Sequence, residues 1–174
     1  AGKFTKWSKG LKGTKHRYII CSGGGPGIME ASNRGASEAG GINIGLTISL
    51  PYESSGNKWI SDDLSMKFHY FFMRKFWFLY LAKALIVWPG GFGTLDELME
   101  LLTLIQTEKI KKRLPIVLYG KEFWEKVVNW DYLVDIGTIS PEDLNLFYIS
   151  NDIDDTFKYV TSFITENQLK GPNF

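Results

Sequence analysis

The sequence predicts an α/β fold, a Rossmann-like doubly wound parallel sheet in three α/β/α layers, with residues 1–174 forming a single domain. Three observations predict it. Short apolar runs alternate with amphipathic stretches of helical period along the chain, the signature of repeated strand and crossover helix. Two of these runs, ending at Cys21 and Trp88, break into glycine turns that open directly into helices. With 174 residues, 44% hydrophobic and 22% charged, the chain can bury one sizeable core.

The elements follow in order. Residues 1–17 are weakly patterned, with Phe4, Trp7 and Leu11 at helical spacing before Gly13, like the tail of a helix. Residues 18–21 form a short β-branched and aromatic strand, ended by Ser22, Gly23, Gly24, Gly25, Pro26 and Gly27. A helix over 28–39 stops at Gly40 and Gly41. Ile42, Ile44, Leu46, Ile48 and Leu50 then alternate with polar or small residues, which is strand periodicity, until Pro51. Residues 52–63 read as a polar loop with no core of its own. The aromatic stretch 66–84 reads as one helix, apolar on nearly every side and so buried against both a sheet and a partner.

Leu85, Ile86, Val87 and Trp88 form the next strand. After Pro89, Gly90, Gly91 and Gly93 comes an amphipathic helix with Leu95, Leu98, Met99, Leu102 and Ile105. Residues 109–113 connect it to a strand over 114–119 closed by Gly120. A helix over 122–134, a helix start at Ser140 and Pro141, a strand over 146–149 and a helix over 152–166 complete the chain.

Composition narrows the function. A net charge of +1 gives no broad basic face, and Lys9, Lys12, Lys15, His16 and Arg17 read as a solvated segment, so no nucleic-acid partner is expected. A single cysteine, Cys21, allows no intrachain disulfide or cysteine cluster, and two histidines far apart make no metal site. A reducing cytoplasm is the expected location. No secretory start is visible, and Arg74, Lys75 and Lys83 interrupt the most hydrophobic region, so no membrane span is expected.

Chemistry concentrates at the two glycine turns, which end strands and therefore lie where open α/β sheets bind ligands. Neither carries the G-x-G-x-x-G or the Lys-Ser/Thr pair of common nucleotide fingerprints, which argues against a dehydrogenase or an ATPase. At the second turn, glycines let backbone amides approach a phosphate at a helix N-terminus. Thr94 and Glu97 also fit a capping box, which competes with a role in catalysis. Arg74 and Lys75 sit in the aromatic helix, where Arg74 is the better candidate because its fork can hold a carboxylate or phosphate. His69 in the aromatic helix reads as a packed residue rather than a base, and Glu30 and Glu53 have similar status. No Ser-His-Asp pattern or G-x-S-x-G elbow is present.

The run Pro89-Gly90-Gly91-Phe92-Gly93-Thr94-Leu95-Asp96-Glu97 resembles the PGGxGTxxE motif of the Lonely Guy (LOG) family, catalogued as lysine decarboxylase-like. Gly23 through Ala31, read GGGPGIMEA, resembles a second signature of that family, and Arg74-Lys75 its Arg-Lys pair. The resemblance covers residues 18–119. Phe71 and Phe72 stand where smaller LOG proteins carry Met-His, which points to the larger GGGPGIMEA-type branch. Compared with the family, the first strand with its Gly-Ser turn would be missing upstream of Ala1.

The resemblance implies a nucleoside 5′-monophosphate N-glycosidase that releases free base and ribose 5-phosphate from cytokinin riboside monophosphates or AMP. It places Arg74 and Glu97 in catalysis. Gly24, Gly25, Gly27, Met29, Lys75, Pro89, Gly90, Gly91, Gly93, Thr94 and Asp96 would bind substrate. Whether Arg74 holds phosphate or orients Glu97 stays open. No cofactor is expected, since nothing marks the Schiff-base lysine that pyridoxal-dependent decarboxylation needs. A nucleotide-binding or carrier protein without chemistry is the alternative. A homodimer or higher homo-oligomer is expected through the helix from Phe68 to Tyr80.

Overall fold

The computed structural model describes residues 1–12, 18–50 and 56–169. The readings placed on Gly13, Lys15, His16, Arg17, Pro51, Glu53 and the first part of the 52–63 loop lie outside these residues. The chain forms two compact units, Ala1–Leu81 and Ala82–Phe174, each built on its own three-stranded sheet.

The first unit contains helix α1 (Gly2–Gly10), strand β1 (Ile20–Ser22), helix α2 (Ile28–Glu38), strand β2 (Asn43–Ile48), a 3-10 turn (Asp62–Leu64), strand β3 (Ser65–Phe68) and helix α3 (Phe71–Leu81). Its strands are parallel in the order β1-β2-β3, with Cys21 opposite Ile44 and Leu46 opposite Met66. Helix α1 packs through small polar residues. Its buried side chains are Thr5 and Ser8, and Ser8 Oγ accepts from the Tyr18 amide at 3.1 Å. Lys9, exposed as expected of a solvated charge, also donates to Ala39 O at 3.2 Å and Gly40 O at 2.9 Å, so it caps the carbonyl end of α2.

One expectation fails in the aromatic stretch. The helix expected from residue 66 begins at Phe71, because residues 65–68 pair as a parallel strand along β2, Gly45 opposite Ser65 through Ile48 opposite Phe68. Aromatic residues suit a strand edge as well as a helix, and the open edge of β2 decides between them. Within the single chain the rings of this helix are left uncovered on the side where a partner was expected. Leu79 is its buried residue, whereas Phe72 is 66% exposed and Tyr80 60%. Its rings stack mainly on one another, Phe76 on Tyr80 at 5.2 Å.

The second unit runs β4 (Leu85–Val87), α4 (Phe92–Gln106), β5 (Ile116–Tyr119), α5 (Lys121–Val127), α6 (Trp130–Asp135), a 3-10 turn (Pro141–Leu146), β6 (Tyr148–Ser150) and α7 (Ile153–Asn167). Its strands are parallel in the order β4-β5-β6. Ile116, Val117 and Leu118 are fully buried, as a central parallel strand covered on both faces requires. Leu98, Leu101, Trp124, Val160 and Ile164 pack in the same core.

The single helix expected over 122–134 is two. Val128 is extended and Asn129 starts α6, its Oδ1 accepting from the Tyr132 amide at 3.0 Å. Ser140 begins the 3-10 turn with a capping box, its amide donating to Asp143 Oδ2 at 2.7 Å. The last strand begins two residues later than expected and ends one later.

In both units each strand lies beside its successor, the arrangement of one half of a doubly wound sheet. The α/β, Rossmann-like class read from the sequence is the class of this chain. Among the described residues no helix is long and apolar enough to cross a membrane. None of their His, Cys, Asp or Glu side chains form a group of three able to hold a metal ion.

Candidate functional site

The turn after β4 is where an anion site was expected, and its geometry differs from a capping box. Helix α4 starts at Phe92 with Gly91 as its N-cap, and no side chain caps it. The amides of Thr94 and Leu95 both donate to Gly91 O at 3.1 Å. Thr94 is therefore the third residue of the helix, so it cannot form the N-cap of a box with Glu97. Its side chain packs on Gly90 instead, where an added Cβ would lie 2.8 Å from Thr94 Cβ.

Gly90 is thus a glycine for an internal reason, and its neighbours are not. An added Cβ at Gly91 or Gly93 meets no atom within 4 Å, and neither residue has a positive φ. Side chains would fit at both. What their absence leaves is bare backbone at a helix start, where the amides of Phe92 and Gly93 have no acceptor within the helix and the dipole is positive. Phe92 between them is 92% exposed. Glu97, half-buried, follows Gly93 by one turn of the helix, and its Cα–Cβ bond tilts toward the helix N-terminus. Asp96 is exposed.

The neighbouring strand ends hold this turn still. Pro89 packs on Gly120, whose φ of +98° admits no ordinary side chain and whose Cβ would lie 3.0 Å from Pro89 Cγ. The Gly120 amide donates to Ser150 O at 2.9 Å, and Tyr119 Oη donates to Asn151 O at 2.8 Å. Trp88 lies against Tyr119, ring centres 4.4 Å apart. The carboxyl ends of β4, β5 and β6 thereby form one braced edge.

The first unit carries the other glycine turn, between β1 and α2. Gly27 is the N-cap of α2 with φ +68°, again without a side-chain cap. Met29 lies over the turn, so a Cβ at Gly23 would stand 2.7 Å from its sulfur and one at Gly25 2.6 Å from its methyl. Gly24, at φ +74°, faces Ile60, which a Cβ there would approach to 3.1 Å. The loop read as having no core of its own therefore packs through Ile60.

Sequence reasoning missed what lies beneath this turn. Asn33 and Asn43 are fully buried, and they connect with Ser22, Ser37 and Asn57 in one hydrogen-bonded network. A signal was available: Asn33 sits on the inward stripe of α2 with Met29 and Ala36, where an apolar residue is the default.

Arg74 and Lys75 lie on α3, both half-buried. The Arg74 guanidinium sits 5.4 Å from the Phe71 ring centre and 5.8 Å from that of Phe78, one turn before and one after it on the same helix face. His69 is exposed in the bend before α3, its ring edge-on to Tyr70 at 4.7 Å, rather than packed in a core. Gly24, Gly25, Gly27, Met29, Arg74 and Lys75 belong to the first unit, and Pro89 through Glu97 to the second. Away from both turns, Lys112 donates to Ala82 O at 2.9 Å, and burial together with the charge of Lys83 lowers its pKa to about 8.

A family model described as "Possible lysine decarboxylase" matches residues 29–160 of the 174. The chain belongs to this family. It is the lysine decarboxylase-like, LOG-type family that the PGGxGTxxE run indicates, and the match runs from α2 into the middle of α7. No curated protein matches the chain. Solved structures do. The molybdenum cofactor binding protein from the phototrophic bacterium Rippkaea orientalis is 17% identical, with a TM-score of 0.64 over 94% of this chain and 83% of that one. The molybdenum cofactor carrier protein from Chlamydomonas reinhardtii is 18% identical, with a TM-score of 0.61 over 94% of this chain and 85% of the other. At these identities the likeness establishes the fold that this family member shares with them.

Proposed function

We propose that this family member hydrolyses the N-glycosidic bond of nucleoside 5′-monophosphates, releasing free base and ribose 5-phosphate. The observation that carries the reading is the start of α4. Two glycines that neither packing nor φ requires leave amides bare, and a glutamate stands one turn behind them. A phosphate accepts from such amides, and a carboxylate within a nucleotide's length answers the positive charge that develops on ribose as the C1′–N bond breaks. In this reading Glu97 also orients the attacking water, and the base departs with the bonding pair and takes up a proton. Arg74 shares the catalytic work by its match to the family's Arg-Lys pair. The word decarboxylase in the family description finds no support in these residues, because nothing among them marks a pyridoxal-binding lysine.

The test is incubation of the purified protein with AMP and with isopentenyladenosine monophosphate, followed by chromatography for adenine or the modified base. Release from either supports the reading. Absence of base from every monophosphate tried overturns it.

A second reading is a carrier that binds a phosphate-bearing small molecule without turnover. The names of the two structural neighbours favour it. It predicts saturable binding that Glu97→Ala leaves unchanged. We also read the exposed rings of α3 as the contact surface of a homo-oligomer, because Phe71, Phe72, Phe76 and Tyr80 are each more than half exposed. A cytoplasmic location accompanies either reading.

A further inference from the structure

The net charge of +1 conceals an uneven distribution. Residues 1–29 carry six Lys and Arg and no Asp or Glu. Residues 127–157 carry seven Asp and Glu and no Lys or Arg. Neither block has a part in the chemistry above, and segregated charge of this kind governs association rather than fold.

The basic block is displayed on a helix that is firmly seated. Helix α1 lies on α2 through small residues: a Cβ at Gly2 would stand 3.1 Å from Gly35 O, and one at Gly41 would meet Thr5. This contact holds Thr5 and Ser8 inward. Lys3, Lys6 and Gly10 are exposed, and their spacing of three and four residues puts them on one outer face. On α2, Glu38 is already paired with Arg34 at 2.7 Å. No large apolar side chain of α1 is exposed, so what this face offers a partner is charge, not insertion into lipid.

The acidic block is displayed as well. Asp131 and Asp135 on α6, Glu142 in the following 3-10 turn, and Asp152, Asp154 and Asp155 around the start of α7 are all exposed. Two of these carboxylates are fixed in place. Asp152 Oδ1 accepts from the Asp155 amide at 2.7 Å, and Asp155 Oδ2 accepts from Tyr148 Oη and Ser150 Oγ, both at 2.8 Å. A carboxylate has about four acceptor positions, so each keeps capacity for an ammonium and loses little freedom on pairing. Ile153 among them is 60% exposed and adds an apolar contact.

A nucleic acid or an acidic membrane would answer the basic block alone, and its phosphates would repel the acidic one. A second copy of the chain answers both. We propose that the basic outer face of α1 docks on the acidic 131–155 surface of a second copy of this chain. The two patches differ, so the contact is head-to-tail, and each copy gives one and receives one. It is separate from the contact read at the α3 rings and independent of the nucleotide reading.

The experiment uses the full chain with a photoreactive benzoylphenylalanine in place of Gly10, where an added Cβ meets nothing within 4 Å. Chains labelled with 14N and 15N are mixed, irradiated and digested, and peptide pairs of mixed isotope report contacts between copies. Mixed pairs joining position 10 to residues 131–155 are expected at about 0.1 M salt. They fade at about 1 M, where the Debye length has fallen from about 10 Å to about 3 Å. Lys3→Glu together with Lys6→Glu cuts their yield about tenfold, because two weak attractions become two repulsions. Mixing that chain with one carrying Asp135→Lys and Asp154→Lys restores part of the yield, which a misfolded variant would not allow.

Three results overturn the proposal. The first is a probe that gives no mixed pairs, or none to residues 131–155. The second is a yield that the double reversal leaves unchanged while melting curves show the variant folded. The third is wild type captured by single-stranded DNA or by anionic vesicles through Lys3 and Lys6, with mixed pairs absent.

Discussion

Gly93→Ala separates what helix α4 needs from what a ligand at its start needs. The residue is the second of the helix, has no positive φ, and offers an added methyl nothing within 4 Å. Folding should therefore gain from the change. Alanine is favoured over glycine in a helix by up to about 1 kcal/mol, part of it from a less flexible unfolded chain, and about 0.5–1 kcal/mol is expected so near the end. For a chain of this size that raises Tm by roughly 1–4 °C. Binding should move the other way. The methyl stands where a phosphate oxygen would approach the amide, and losing one charge-assisted hydrogen bond costs about 1.5–3 kcal/mol, or roughly 10- to 100-fold in affinity for AMP. Calorimetric melting and isothermal titration with AMP read the two effects on one sample. A variant that melts higher and binds AMP as wild type does would refute the claim that these glycines exist for a ligand. Gly90→Ala is the contrast: its methyl would collide with Thr94, and a loss of about 1–3 kcal/mol in urea unfolding is expected.

Glu97→Gln keeps the shape of the side chain and removes its charge, so hydrolysis should fall by about 10²–10⁴-fold with AMP affinity within a few-fold, read by adenine release and titration. Equal hydrolysis by the variant would leave Glu97 without a catalytic role. Phe76→Asp places a charge in the exposed ring stack of α3 and should shift a homo-oligomer toward monomer in light scattering at micromolar concentration. A wild type already monomeric there would remove the interface reading. For Lys112, the folded-state pKa of about 8 lies below the ordinary 10.5, so between those values the unfolded chain binds more protons and stability rises with pH. Below pH 8 both states are charged and the dependence vanishes. The group is half exposed and solvent screens the effect, so the expected outcome is a direction: the wild-type minus Lys112→Met difference in unfolding free energy climbs from pH 8 to 10.5. A flat difference would show that Lys112 is not desolvated.

Local order carried much of this protein into its sequence. The class, the alternation of strands and helices, and both glycine turns follow from periodicity and from glycine's backbone freedom, which act within a few residues. The family followed from the 89–97 run for the same reason, since its spacing is contiguous. What the tertiary structure decided depends on neighbours distant in the chain. Residues 65–68 became a strand because β2 offered an open edge, a fact no local propensity contains. Thr94 looked like a cap by spacing, yet the helix begins at Phe92 with Gly91 as its N-cap, and Thr94 packs back on Gly90. The exposure of the α3 rings and the burial of Asn33 both run against residue type, because burial is set by what packs above a position. The sequence alone determined where backbone could be bared to a ligand. The fold decided which glycines are bare for internal reasons and which are left open, because that depends on atoms brought up from elsewhere in the chain.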